Sequence, residues 1–369
     1  MNEKINKIRN IAVFSTMTAL LAALSLWCWI GKDPEFSESE RRVLAKFPEF
    51  SAETLISGKF MTDFETYAMD QFPLRDSFRT LQSGAKLGAF AQLDNNGLYT
   101  KDGYLAKMEY PMQETMLDNA AAKFQFLYDT YMKEQGSQVY FSIIPDKHYF
   151  LGEGRLAMDY DKLVASMREK TEYMQYIDIF PCLELEDYYR TDTHWRQERI
   201  GDVADTLANA MGAELSGNYT QNTLDHPFYG VYYGQLALPV KPDTLYYLTS
   251  DTLNSCVVTS YNTGLPVEKP LYDMEAATGR DPYEMFLCGS DALVTIENPN
   301  AQTDKELIVF RDSFGSSLVP LLAEGYAKIT VVDIRYVQSA MLGNLVEFKG
   351  QDVLFLYSTL VLNNSMGLR

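Results

Sequence analysis

The chain has 369 residues, 46% of them hydrophobic, enough to bury one large core or two smaller ones, so it is not a disordered protein. Its formal charge of -18 repels phosphate backbones and anionic membrane surfaces, and nucleic acid is not an expected partner. The four cysteines, Cys28, Cys182, Cys256 and Cys288, share no close spacing; this signals neither a zinc module nor a dense disulfide framework and leaves one bridge among the last three open.

From Ile11 to Ile30 the run IAVFSTMTALLAALSLWCWI carries no charge. Its length, about 30 Å as a helix, matches a hydrocarbon core. Lys4, Lys7 and Arg9 precede it, so the positive-inside bias holds the N-terminus in the cytoplasm and sends the rest outside, weakly opposed by Lys32. Trp27 and Trp29 suit an outer interfacial belt. A cleaved signal peptide would need a small-x-small site, which LWCWIGK does not offer, and Trp27 stands where a lipoprotein anchor at Cys28 wants a small residue. The expected organisation is a cytoplasmic N-terminus (1–10), a single-pass signal anchor (11–30), juxtamembrane helices and a hairpin packed on the domain (31–110), and an extracytoplasmic domain (111–369) with a β-rich insertion at about 215–300. The cell membrane is the expected location.

After the anchor, DPEFSESERRVLAKFPEF mixes charge, proline and phenylalanine without a period, as a stalk lying along a folded domain would. Ser51 then caps a helix that spaces Leu55, Phe60, Phe64 and Tyr67 at near-helical intervals across Gly58. The turn signals Asn96-Gly97 and Asp102-Gly103 predict a β-hairpin. AAAKFQFLYDTYMKEQ predicts a helix ended by Gly136, and QVYFSIIP a buried strand. Beyond DTHW, Ile200, Val203, Ala204, Leu207, Ala208 and Met211 share one helical face, which puts His194 at the mouth of a helix. Residues 215–299, rich in Tyr, Thr, Pro and Gly, read as short strands and loops elaborating the site. The C-terminal part alternates ELIVF (strand), SSLVPLLAE (helix, despite Pro320), KITVVD and DVLFLY (strands). Continuous apolar strands of this kind predict an α/β fold with a mostly parallel sheet flanked by helices.

Two stretches can carry chemistry. In RDSFGSS, Ser313 follows a strand and precedes a helix, with Gly315 where the backbone must turn sharply. That setting can raise a nucleophilic serine beside helix N-terminal N–H groups. The plainer alternative is that Ser313 or Asp312 caps the helix. In RTDTHWRQE, Asp192 and His194 are two apart, so in an extended segment the carboxylate can fix the imidazole tautomer. A lone loop histidine is more often structural. Of His148, His194 and His226, however, only His194 has a carboxylate so placed, and Ser313, His194 and Asp192 are the best acyl-transfer set available. Tyr229, Tyr232 and Tyr233, with Tyr246 and Tyr247, offer an aromatic platform for sugar rings or, more plainly, core packing. No metal cluster, phosphate loop or dinucleotide fingerprint appears, and no cofactor is expected.

The order of anchor, DQFPLRD, GLYTKDGYLAK, IIPDK, TDTHW, FRDSFGSSLVP and ITVVDIRY resembles the DHHW family of bacterial envelope proteins, itself similar to the alginate O-acetyltransferases of the SGNH-hydrolase superfamily in circularly permuted form. The resemblance spans about residues 33–358. It implies an SGNH-like fold with Ser313 as acyl nucleophile, His194 as general base and acid, and Asp192 as the orienting carboxylate. It further implies that Trp195 packs beside the histidine, that Arg335 and Tyr336 lie near the site, and that Lys147 of IIPDK, otherwise a surface charge, can approach it. Where the family tends to carry GGN this chain has Cys288-Gly289-Ser290, and where it tends to carry an asparagine three residues past the serine this chain has Ser316. Backbone N–H groups, with the hydroxyls of Ser290 and Ser316, are then the remaining oxyanion donors. The implied activity is O-acetyl transfer to an envelope polysaccharide, with acyl groups supplied by a multispanning membrane-bound O-acyltransferase. A non-catalytic glycan- or partner-binding protein of the same fold and a carbohydrate esterase are the alternatives.

Overall fold

The computed structural model describes residues 2–37 and 39–369. They form two compact units, one of residues 1–92 with 234–239 and one of residues 93–233 with 240–369.

The first unit begins with a helix, Asn2–Ile30. Among the described residues it is the one helix long and apolar enough to cross a membrane, with mean hydropathy 1.9 and none of it buried. A small ribbon of β1 (Phe36–Ser37) and β2 (Arg42–Val43) follows. The stalk packs within this unit: Gln71 Nε2 donates to Pro34 O at 3.1 Å and Ala45 O at 2.9 Å, and Phe47 meets Phe60, Phe64 and Tyr67 edge-on at 5.3–6.4 Å. Ser51 caps its helix as expected, but the helix does not run through Gly58. It ends at Ile56 and restarts as Lys59–Asp70, because Gly58 takes a left-handed φ of 78° that no helix interior accommodates.

The second unit opens with the expected hairpin, β3 (Leu98–Lys101) and β4 (Tyr104–Lys107). Both central turn residues, Asp102 and Gly103, have positive φ, the twist that matches two-residue hairpins. The helix Glu114–Leu127 continues through a wider turn to Gln135 and stops at Gly136 with φ 71°. Then come β5 (Val139–Ile144), β6 (Gln175–Tyr176), a separate antiparallel ribbon of β7 (Thr220–Phe228) and β8 (Asp243–Thr249), and β9 (Val257–Ser260), β10 (Val267–Lys269), β11 (Leu293–Glu297), β12 (Glu306–Arg311), β13 (Lys328–Val332) and β14 (Asp352–Ser358). The main sheet has the order β10-β9-β11-β13-β12-β14-β5-β6. Its strands from β13 to β6 are parallel, whereas β11, β9 and β10 extend it antiparallel. The mostly parallel α/β sheet read from the sequence is therefore present. The β-rich stretch 215–299 is more than an elaboration, since three of its strands complete the sheet and only β7 and β8 stand apart.

The central strands are apolar throughout because both faces are covered. Leu307, Val309, Leu354 and Leu356 face the helices Gly201–Ala210 and Gly315–Leu322, while Ile308, Phe310, Val353 and Phe355 face Glu114–Leu127 and Tyr160–Lys170. Fully burying such a side chain contributes about 1.5–3 kcal/mol; Phe355→Ala would cost about 3–5 kcal/mol. All four cysteines are free thiols, so the bridge left open above does not form.

Candidate active site

In open α/β sheets the ends of the parallel strands are where ligands bind. Here buried aspartates tie neighbouring strand ends together. Just past β12, Asp312 Oδ2 accepts from the Ser358 N–H at the end of β14 at 2.7 Å. Past β5, Asp146 Oδ2 accepts from Thr359 Oγ at 2.7 Å. Past β13, Asp333 lies 3.6 Å from the fully buried Arg311 guanidinium at the end of β12. Ser313 thus leaves the sheet from a braced strand end.

The serine hydroxyl does not cap the helix that follows. Asp312 takes the capping-type bond, accepting from Phe314 N at 3.0 Å, and Ser313 Oγ lies 2.8 Å from His194 Nε2. His194 Nδ1 lies 2.6 Å from Asp192 Oδ1. Asp192 also accepts from the His194 N–H at 3.0 Å and the Val231 N–H at 2.8 Å, so both oxygens are engaged. Burial alone would raise the Asp192 pKa, but the neighbouring His194 and these N–H donors outweigh it and hold the carboxyl well below the usual carboxylate range. A fixed carboxylate opposite Nδ1 leaves Nε2 free to accept the serine proton.

His194 is not at a helix mouth. It lies on a loop closed by a bridge between Tyr188 and Trp195, and a short turn, Gln197–Arg199, separates it from the helix at Gly201. Trp195 is fully buried, and its Nε1 donates to Phe314 O and Ser317 Oγ, both at 3.0 Å, joining the histidine loop to the serine's helix. On the other side of the loop, Asp243 accepts from the Arg190 and Thr191 N–H groups at 2.9 and 2.8 Å. Gly230 packs against Asp192 so closely that a Cβ there would lie 2.2 Å from the Asp192 Cβ. Neither Asp243 nor Gly230 was legible in the sequence, because nothing local links either of them to the histidine loop. Tyr283 was missed as well: its ring stacks on the His194 imidazole at 3.8 Å and 5°.

The remaining candidates divide. Gly315 has no left-handed backbone; it is required because a Cβ would lie 2.8 Å from the Arg311 Cβ. Ser316 is buried, and its hydroxyl donates to Gly289 O at 3.3 Å, while Ser290 is exposed. Arg311 Nη2 donates to the same Gly289 oxygen at 3.0 Å, in a segment where Leu287, Cys288 and Gly289 all have positive φ. Such backbone costs about 1–3 kcal/mol per non-glycine residue and persists only where its surroundings hold it. Lys147 is not a surface charge. It is buried, donates to Tyr189 O at 2.9 Å and Arg190 O at 3.3 Å, and its pKa is pushed down to about 7 by burial, against the pull of Asp192, Asp243 and Asp146. Arg335 is drawn to Asp333 through bonds of 2.6–3.2 Å, Tyr336 is half-exposed, and neither bonds to Ser313 or His194. The Tyr229 and Tyr233 rings pair at 4.4 Å, whereas Tyr232 is buried, with its hydroxyl donating to Thr193 Oγ at 3.0 Å. Among the described residues no group of three or more His, Cys, Asp or Glu side chains is placed to hold a metal ion.

Residues 179–332, which carry the Asp-x-His pair and Ser313, match the family model described as DHHW protein. No curated protein sequence matches the chain significantly. Among solved structures, a DHHW family protein from Eubacterium siraeum is 21% identical with TM-score 0.60, the match covering 74% of this chain and 95% of that one. Bacillus cereus PatB1 with a sulfonyl adduct is 20% identical with TM-score 0.58, covering 72% and 95%. The O-acetyltransferase domain of Pseudomonas putida AlgJ is 16% identical with TM-score 0.45, covering 72% and 92%. At these identities the first two likenesses establish a shared fold. The chain is thus similar to the DHHW proteins, in sequence over residues 179–332 and in fold over about three quarters of its length.

Proposed function

We propose that the protein is a membrane-anchored, extracytoplasmic O-acyltransferase that moves an acetyl group onto hydroxyls of an envelope polysaccharide. The observation that carries this reading is the unbroken line from Ser313 Oγ through both nitrogens of His194 to Asp192, at 2.8 and 2.6 Å. In the first half-reaction Ser313 Oγ attacks the carbonyl carbon of an acyl ester while its proton passes to His194 Nε2. The donor oxygen leaves with that proton, and the acyl group stays on Ser313. In the second, a sugar hydroxyl gives its proton to Nε2 and attacks the acyl carbon, and Ser313 leaves with the proton restored. Backbone N–H groups are the oxyanion donors in this reading, since the Ser316 hydroxyl is engaged with Gly289 O.

Localisation and partners belong to the same reading. The apolar helix Asn2–Ile30 is the anchor, Lys4, Lys7 and Arg9 keep its start in the cytoplasm, and the catalytic unit lies outside. Because acyl-coenzyme A is confined to the cytoplasm, a multispanning membrane-bound O-acyltransferase is the acyl source in this reading, as the family resemblance implies. A second reading, a non-catalytic glycan-binding protein, draws on the missing asparagine donors at Ser290 and Ser316; one lost donor costs about 100–1000-fold in rate. The experiment is turnover of a chromogenic acetyl ester by the full chain in detergent. Loss of turnover in Ser313→Ala and in His194→Ala supports the enzyme, and a folded wild type without turnover or Ser313 labelling overturns it. Added glycan acceptor then separates transfer from hydrolysis.

A further inference from the structure

The proposed mechanism uses both nitrogens of His194 but says nothing of what fixes the ring plane. Hydrogen bonds at Nδ1 and Nε2 constrain the ring along one axis and leave it free to rock about the line between them. Two aromatic rings close off that rocking. Phe314 meets the imidazole edge-on at 4.9 Å and 61°. Tyr283 covers one face in near-parallel contact, at 3.8 Å and 5°. The Tyr283 ring is itself tethered, because its hydroxyl shares a 2.8 Å hydrogen bond with Ser317 Oγ, which also accepts from Trp195 Nε1 at 3.0 Å.

We infer that Tyr283 is a positioning residue for His194: its ring, held through Ser317 and Trp195, sets the imidazole plane so that Nε2 stays in line with Ser313 and Nδ1 with Asp192. This rests on the acyl-transfer reading for its use, but the contact exists whether or not the chain transfers acyl groups. Tyr283 belongs to the turn Pro282–Met285, which runs directly into the left-handed segment Leu287–Gly289 held by Arg311 and Ser316. One short segment therefore touches the base at one end and is held by Arg311 and Ser316 at the other. The charged and titratable groups around this pair are Asp192 on the histidine loop, Asp312 and Arg311 on the serine side, and Lys147 beyond Asp192. None of them replaces a ring stacked on the imidazole face.

The test compares wild type, Tyr283→Phe, Tyr283→Leu and Ser317→Ala as full chains in detergent. The first readout is the downfield proton resonance of the His194 Nδ1–H bonded to Asp192, assigned by its loss in His194→Gln. The second is the rate at which an arylsulfonyl fluoride labels Ser313, read by mass spectrometry. Removing the ring takes away the stacked face as well as its buried area, and is expected to slow labelling about tenfold and to broaden or erase the resonance. Phenylalanine keeps the stacked face and should restore the resonance and most of the labelling rate; Ser317→Ala should fall between the two. A role in packing alone would lower the unfolding midpoint in Tyr283→Leu while leaving the resonance and the labelling rate in place, and that result overturns the proposal. So does a Phe variant as impaired as the Leu variant. Should Tyr283→Leu fail to fold, Tyr283→Met is the non-aromatic replacement judged by the same criteria. If wild type shows the resonance but Ser313 is never labelled, acyl transfer fails while the resonance in the variants still decides the positioning role.

Discussion

Asp192→Asn tests the reading where it is most exposed. The carboxylate accepts three hydrogen bonds, two from His194 and one from Val231, and offers no donor. An asparagine has the same shape but one donating end. With its NH2 toward Val231 it opposes a backbone donor; with its NH2 toward His194 it forces Nδ1 to accept and moves the ring proton to Nε2, where the serine proton must go. The variant also removes the charge that stabilises the imidazolium formed on attack. At an effective dielectric near 20 and about 4 Å between charge centres, that term is about 4 kcal/mol, or about a thousandfold in rate. The tautomer defect brings the expected loss to about 10³–10⁴-fold in kcat for acetyl-ester turnover. The measurement is steady-state hydrolysis at neutral pH with circular dichroism as the folding control. A folded Asp192→Asn within tenfold of wild type would refute the role given to the carboxylate. The sign of the pH response follows from its depressed pKa: its contribution to stability is complete above the unfolded carboxyl range and is lost as pH falls through the lower folded value. Acid unfolding of Asp192→Asn should therefore begin at higher pH than in the wild type.

Gly230→Ala places a Cβ 2.2 Å from the Asp192 Cβ and must push Val231 away from the carboxylate. Turnover should fall at least a hundredfold and stability by about 1–3 kcal/mol, and wild-type ester hydrolysis in this variant would show that the Gly230 contact does not matter. Lys147, with a pKa pushed down to about 7, binds fewer protons folded than unfolded between that value and the ordinary lysine range, so folding gains stability as pH rises across this window. The wild-type unfolding midpoint should rise relative to Lys147→Met between pH values of about 7 and 10; a gap that is constant or narrows in that direction would contradict a buried, readily deprotonated amine.

Features written in local pattern could be read directly from the chain. The uncharged, apolar run from Ile11 to Ile30 has the length of a membrane-crossing helix, and a strand buried on both faces must be apolar at every position, so ELIVF and DVLFLY announced a covered parallel sheet. Ser313 was found because strand, turn and helix follow one another in the chain, and the Asp192–His194 pair because two side chains two apart in a loop can meet. The meeting of Ser313 with His194 across 119 residues was suggested by elimination among the histidines and by resemblance, but not by any local pattern; it depends on β12 lying at the centre of the sheet, with the histidine loop pinned over its end by Trp195. Tertiary structure alone decided the contacts that no period encodes: the closeness of Gly230 to Asp192, the ring of Tyr283 on the imidazole, the burial of Lys147, and the entry of β9, β10 and β11 into the main sheet. Each of these arises where segments far apart in the chain are pressed together by burial of their apolar neighbours. The residues at such a meeting are constrained by space and charge, and neither leaves a repeat in the sequence.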